Sequence, residues 1–314
     1  MKSRETTTSL ITPTLLAQIA EGYLPFSKTE NLNFSDLESK EAQEHFQNVC
    51  KSSNARDALI GLSQLSPDAS LPDLDLMSLL PEPTAKGFPQ QCFGLQLLLD
   101  QASRILFHGV DARWQSGYFG PLGRELAGQW YALPEDQRPY KWQRWQALGV
   151  TSFSYWVATQ TMWAAPFLHA EDLESQRIGL DLSEELRIAI EHHTGRKDTY
   201  RETRNITLKD DLIFLREVVK GPPSDEGESS ISLPNWAFWW CMILDAHWPI
   251  IKRFGRYPYR NAILARVSTE EEKKWLDDTG HFGEASPEVV ERIREDVEKG
   301  IWRPLDQKQD KDGL

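Results

Sequence analysis

Several things are scarce or missing in this chain, and each absence narrows what it can be. Positive charge is in deficit: 35 lysines and arginines face 47 aspartates and glutamates, a net charge of −12. Nucleic acid or an anionic membrane as the main partner would need the opposite balance. No apolar run approaches the roughly 18 residues a membrane span requires. The stretch Met1 to Pro13 has no apolar core of the kind a secretory signal carries, so a cytoplasmic protein is expected. Cysteine is limited to Cys50, Cys92 and Cys241, widely spaced and odd in number. That suits a reducing compartment without structural disulfides or a thiolate metal site.

Motifs are missing as well. There is no glycine-rich phosphate cradle, H-E-x-x-H, C-x-x-C, EF-hand spacing, G-x-S-x-G elbow or S-x-x-K nucleophile. A terpene-cyclase reading is set aside because Asp210-Asp211 and Asp73-x-Asp75 lack the further carboxylates that magnesium-bound diphosphate needs. Asn205-Ile206-Thr207 matches a glycosylation acceptor, and with no secretory signal expected it is read as a chance match. No metal and no cofactor is expected.

Alternating strand patterns are absent too, so the fold is expected to be all-α. The chain has 12 tryptophans, none of them before Trp114. Residues 1–90 are expected to form an N-terminal helical and proline-rich extension packed on the rest. Its best-signalled helix follows a capping box at Ser35-Asp36-Leu37-Glu38. The prolines Pro67, Pro72, Pro81, Pro83 and Pro89 punctuate an extended segment, and six apolar residues between Leu71 and Leu80 favour its wrapping over the main domain. Residues 91–302 are expected to form an all-helical core and 303–314 a frayed, charged tail.

Within that core, Leu95, Leu98, Leu99, Ala102, Ile105 and Leu106 form one helical stripe, with Asp100, Arg104 and His108 opposite. Tyr140 to Trp163 is apolar nearly all round and reads as one central helix ended by Pro166. Further helices are expected over 171–192, 200–219, 235–254, 268–277 and 287–300, with Gly221 to Ser230 as a flexible loop. Ser268-Thr269-Glu270-Glu271 is a second capping box, and Ser286-Pro287 supplies an N-cap and a proline at N1.

Three polar clusters interrupt the apolar pattern. The first is Asp100-Gln101 with Arg104, which on its own is an exposed i, i+4 ion pair. The second is His169, Glu171 and Asp172, followed by Gln176. Its carboxylates suit a helix start through the dipole, while His169 could serve as an acid or base. A metal at His169 would need more ligands than the cluster offers. The third runs from Asp245 through His247, Trp248, Lys252, Arg253, Gly255, Arg256, Tyr257 and Arg260 to Asn261. Gly255 suits a helix C′ position. The arginines either neutralise Asp100, Glu171 or Asp172, or clamp an anion.

Together these clusters resemble the helical family catalogued as domain of unknown function 924, whose members are assigned a tetratricopeptide-like fold. Leu98 to Gly109 is similar to the motif L-L-D-Q-F-P-R-N-I-F-R-G, and Phe167 to Gln176 to F-M-H-S-E-D-L-x-x-Q. His247 to Glu272 is similar to H-R-D-I-I-x-R-F-G-R-F-P-H-R-N-A-I-L-G-R-x-S-T-x-E-E. The likeness covers about residues 91–280. It implies antiparallel helical hairpins around a Trp-rich core, and little about function. The chain departs from the pattern at Ala102-Ser103, Ile105, Trp248-Pro249, Tyr259 and Ala265, where polar groups are lost and an aromatic is gained. Insertions such as Gly221–Asn235 are like those of the larger fungal-type members. A larger, more apolar ligand is implied.

The leading expectation is a cofactor-independent enzyme of specialised metabolism acting on an apolar small molecule, of the cyclase or isomerase type. Positioning a flexible substrate in an aromatic pocket can itself remove several kcal/mol of barrier. The candidate catalytic residues are His169, His247 and Arg253. Asp100, Gln101, Arg104, Glu171, Asp172, Arg256 and Arg260 are candidates for substrate binding, with Trp156, Trp163, Trp239, Trp240 and Trp248 as walls. Two alternatives stand beside it: a non-enzymatic helical scaffold with a protein partner, and an acid–base hydrolase built on His169, Glu171 and Asp172. A scaffold array should show a 34-residue period, and none is found.

Overall fold

The computed structural model describes residues 9–66, 68–225 and 230–305. Pro67, the middle of the expected Gly221–Ser230 loop and the tail from residue 306 lie outside the described residues. The fold is all-α, as expected. Its longer helices are α1 (Pro13–Tyr23), α2 (Lys40–Ser52), α3 (Ala55–Ser63), α4 (Phe88–Leu97), α5 (Gly120–Tyr131), α6 (Phe153–His169), α7 (Leu173–Thr194), α8 (Leu233–Asp245), α9 (Trp248–Phe254), α10 (Glu270–Asp278) and α11 (Pro287–Glu298). Among the described residues no helix is long and apolar enough to cross a membrane.

The chain divides into two compact units that are not consecutive in sequence. Unit 1 takes residues 1–23, 45–139 and 258–314, and unit 2 takes 24–44 and 140–257. The first 90 residues are thus shared between the units.

In unit 1, α1 packs along α4. Gly94 allows the close approach, since a Cβ there would stand 2.7 Å from the carbonyl carbon of Leu16. The proline-punctuated segment packs within this unit: its 3-10 turn Leu76–Leu79 lies against α5, and Leu74 and Leu76 are buried. After α4 the chain does not continue as a regular helix. Residues Leu98–Ala102 form a π-turn, and a second one, Gln115–Phe119, packs against it. One inserted residue rotates everything beyond it by about 100° around the axis. Asp100, expected on an exposed face, lies within the turn and is buried at 3% exposure, and Leu98, Leu99 and Ala102 beside it are buried too. His108 falls beyond the helix, which ends at Leu106.

Unit 2 is built on α6, α7 and α8, which pack on one another. Residues 24–44 are fastened to it. Lys28 O accepts from the N–H groups of Thr151 and Ser152, and Ser154 Oγ accepts from Leu32 N–H at 2.8 Å. Phe34 stacks on Trp236 at 4.6 Å, and Glu38 Oε1 accepts the indole N–H of Trp236 at 2.6 Å. Trp145, Trp163 and Trp236 are almost completely buried here, as Trp114 and Trp130 are in unit 1. The Trp-rich interior is as expected.

Several helix boundaries differ from expectation for local reasons. Tyr140 to Trp163 is two helices: Trp142–Ala147 ends at Gly149, whose φ is +90°, and Ser152 then caps α6 by accepting from Tyr155 N–H. Pro166 lies inside α6, where it removes one helix donor near the end without stopping the helix. Asn33, not Ser35, caps the short turn Phe34–Leu37. The second capping box is one residue later, between Thr269 and Glu272. The stretch 200–219 breaks into short turns because ion pairs rather than an apolar stripe hold it, with Arg201 on Glu184 and Glu191, and Arg204 on Glu184 and Asp245. Residues 235–254 divide at Ala246–His247 into α8 and α9. Pro258 begins a 3-10 turn, Pro258–Arg260, and further turns follow it.

Candidate functional site

The three polar clusters divide between the units. The first belongs to unit 1 and the second to unit 2, while the third is cut between Tyr257 and Pro258.

In unit 2, two helix ends bring the two candidate histidines together. His169 is the last residue of α6, and His247 lies in the break between α8 and α9. Both are half-buried, and their ring centroids are 5.8 Å apart. His247 Nδ1 is 2.9 Å from the carbonyl oxygen of Ile243. A carbonyl only accepts, so Nδ1 carries the proton and Nε2 is the basic nitrogen of the neutral ring. Tyr257 closes the group, its ring edge-on to His247 at 6.1 Å. Its phenol donates to the carbonyl of Leu168, and its backbone N–H donates to Glu171 Oε1 at 3.1 Å.

Glu171 is therefore part of this group, while Asp172 is a helix cap. Asp172 Oδ1 accepts from Ser175 N–H at 2.7 Å and its Oδ2 from the Ser175 hydroxyl at 2.6 Å. Gln176, at the end of the same motif, is buried. Its Nε2 donates to the carbonyls of Leu168 at 2.7 Å and Ala170 at 3.0 Å, and lies 3.2 Å from the Tyr257 hydroxyl. Sequence reasoning proposed neither Gln176 nor Tyr257 as a site residue. The available signal was a glutamine seven residues beyond His169 in a polar motif.

The candidate arginine Arg253 is exposed on α9, where it pairs with Asp211 at 2.6 Å, a carboxylate outside the three expected partners. It also lies over the ring of Phe254. Gly255 takes the left-handed C′ position as expected, with φ +70° and its N–H on Ile251 O. Arg256 follows, half-buried.

The candidate walls separate into two kinds. Trp156 donates to Tyr140 O at 2.9 Å and Trp239 to Val218 O at 3.1 Å, both from buried positions, and Trp163 is 1% exposed. These are interior residues. Trp240, whose indole reaches Glu38, and Trp248, which has Lys252 Nζ 5.8 Å over its ring, are half-buried.

In unit 1, the buried Asp100 carboxylate accepts from Gln101 Nε2 at 2.5 Å and from Arg104 Nη2 at 3.4 Å. Arg104 Nε also donates to Asp100 O. Arg260 is buried beside the Tyr259 ring, and its neighbour Asn261 donates to Ser268 Oγ at 3.1 Å. Among the described residues no group of three or more histidine, cysteine, aspartate or glutamate side chains is arranged to hold a metal ion.

An all-helical fold carrying these three motifs defines a class. A family profile described as bacterial protein of unknown function (DUF924) matches residues 33–280, and the chain belongs to that family. The match begins at residue 33, well before the position near 91 expected from the motifs alone, and so includes residues 33–44 of the segment that belongs to unit 2. No curated protein and no solved structure matches the chain.

Proposed function

We propose that this protein is a cofactor-independent enzyme that moves a proton within an apolar small molecule, an isomerase or cyclase of specialised metabolism. The His169–His247 pair carries the reading: two half-buried imidazoles 5.8 Å apart, one with its tautomer set by Ile243. Neutral His247 takes a proton at Nε2 from a carbon beside a carbonyl, protonated His169 gives one elsewhere on the same molecule, and proton exchange with solvent then returns both rings to their starting states. Substrate and product then share one formula, and no oxidant, metal or covalent step is needed. Trp248, the residue after His247 and half-buried, offers apolar surface. The buried, free cysteines Cys50, Cys92 and Cys241 suit a reducing cytoplasm.

The test is mass-neutral conversion. Protein is incubated with small-molecule extract of its natural host, and ions that change retention without changing mass are sought by liquid chromatography–mass spectrometry. Wild type should consume one compound and yield an isomer, and His247→Asn should lose this by 100-fold or more, within the range acid–base groups contribute. Conversion retained in a folded His169→Asn/His247→Asn double variant overturns the reading. A second reading, a helical binding module, is favoured by one feature, a shallow surface basin around Ile206, which is 67% exposed. If no isomer forms with wild type, this second reading takes over.

A further inference from the structure

The second motif ends on a glutamine, and the acid–base reading assigns it no role. Nor does that reading use the Tyr257 phenol. Both act on the same short piece of backbone, the end of α6 that carries His169. A helix C-terminus leaves carbonyls without intrahelical donors. Here Leu168 O accepts from the Tyr257 hydroxyl and from Gln176 Nε2, while Ala170 O accepts from that same amide. The carbonyls on both sides of His169 are thereby tied to one buried side chain. Tyr257 N–H holds the next side chain, Glu171.

The packing beneath is equally close. A Cβ at Gly179 of α7 would stand 2.6 Å from Leu168 Cγ, so the helix that carries Gln176 lies directly against the residue before His169. The amide orientation is set by its surroundings: rotating it would turn Oε1 toward two carbonyl oxygens. That leaves Gln176 Oε1 buried without a hydrogen-bond partner, an uncompensated loss of its hydration. A buried amide that gives up an acceptor to supply donors to the His169 backbone is an expensive way to end a helix. A glycine C-cap, which α7 and α9 both use, would end it more cheaply.

We propose that Gln176 and Tyr257 are positioning residues that fix the His169 imidazole against His247. This rests on the acid–base reading of the pair, and its own readout does not require turnover. Tyr257 is the link between the two histidines, because one ring touches His247 while its hydroxyl grips the peptide before His169.

The experiment is solution NMR on the full chain labelled at Leu168 carbonyl and at histidine rings, comparing wild type with Tyr257→Phe and Gln176→Met. Both variants keep size and remove donors. In each, the Leu168 carbonyl resonance should move upfield as a hydrogen bond is lost. The ring-to-ring NOE between His169 and His247 should fall at least twofold, with the His193 ring as an unaffected control. If an isomer-forming activity is found, kcat should drop about 10- to 100-fold with KM little changed, the size expected from misplacing a catalytic group. An unchanged NOE in a folded variant whose Leu168 carbonyl has moved overturns the positioning role. A weakened NOE in a protein without turnover retains the positioning role and refutes only the acid–base function. Should Tyr257→Phe fail to fold, Gln176→Met alone decides the question by the same two resonances.

Discussion

The most exacting test of the fold concerns Arg187, a guanidinium 1% exposed in the middle of unit 2. Its Nε donates to Asp198 Oδ2 at 2.6 Å, its Nη2 to Asp245 Oδ2 at 2.7 Å and its Nη1 to Ser183 Oγ at 2.8 Å. Burial opposes the charge, but Asp245 and Asp198 more than offset it and hold the group above its ordinary value. Replacing Arg187 by Met keeps much of the volume and strands the two carboxylates. Asp245 would keep Arg204, at 2.8 Å, and the Ser183 hydroxyl. Asp198 would keep the Tyr200 N–H, at 2.8 Å. Breaking a buried pair from one side costs about 3–5 kcal/mol, against a domain stability of about 5–15 kcal/mol. Urea unfolding of Arg187→Met should therefore show a loss of that size. Adding Asp198→Asn should recover about half of it, because the stranded charge is then gone. A loss under about 1 kcal/mol, or a double variant less stable than the single, would refute the reasoning. Asp245 is two residues from His247, so the variant also reports on how firmly the end of α8 is held.

Three further predictions concern other residues. Ala265 has φ +53°, in the left-handed region, at the position where the resembled motif carries glycine. Ala265→Gly should raise stability by about 0.5–1 kcal/mol, relieved strain outweighing the extra freedom of the unfolded chain, and thermal unfolding that shows a decrease would contradict this. A hydrogen bond from Arg201, supported by the Asp198 N–H, pulls Glu191 from 4.5 down to about 2. Its folded value is depressed, so its contribution is complete above about 4.5 and disappears as the pH falls toward 2. Glu191→Gln should accordingly be destabilised at pH 6 and match wild type near pH 2, and a gap that does not narrow would count against the pair. Burial pushes the Cys50 and Cys241 thiols up to about 12 and raises Cys92 as well. A thiol-specific disulfide reagent at pH 8 should find no fast-reacting cysteine in native protein and three after unfolding, and one fast thiol in the native state would place a cysteine wrongly.

How much of the fold was legible depends on whether a segment's reason for its shape is written locally. Ser286 at the N-cap position before Pro287, and the C′ glycine at Gly255, follow positional preferences that a sequence states directly, and they are found where expected. The long apolar stretch from Tyr140 misled because hydrophobicity on every side says buried without saying continuous. The break was signalled only by Gly149 and the capping Ser152. The π-turn at Leu98–Ala102 has no such signal. The stripe around it satisfies a regular helix equally well, and tertiary packing decides that Asp100 turns inward.

The site was legible to a different degree, for a related reason. A sequence shows which residues are chemically unusual, and His169 and His247 were named on that ground. It does not show what backbone each polar side chain is spent on. Asp172 has both oxygens occupied by Ser175, Arg253 is paired with Asp211, and the indoles of Trp156 and Trp239 serve Tyr140 and Val218 carbonyls. Four of the residues that looked like chemistry are holding the chain in shape. Gln176 and Tyr257 are also spent on backbone, but the backbone in question carries His169. Setting those four and the buried Trp163 aside leaves the imidazole pair among the unit 2 candidates, together with Glu171, Arg256, Trp240 and Trp248, and His247 Nδ1 is itself engaged by the Ile243 carbonyl. Under the acid–base reading we propose, the side chains around the pair act by where they hold those two rings.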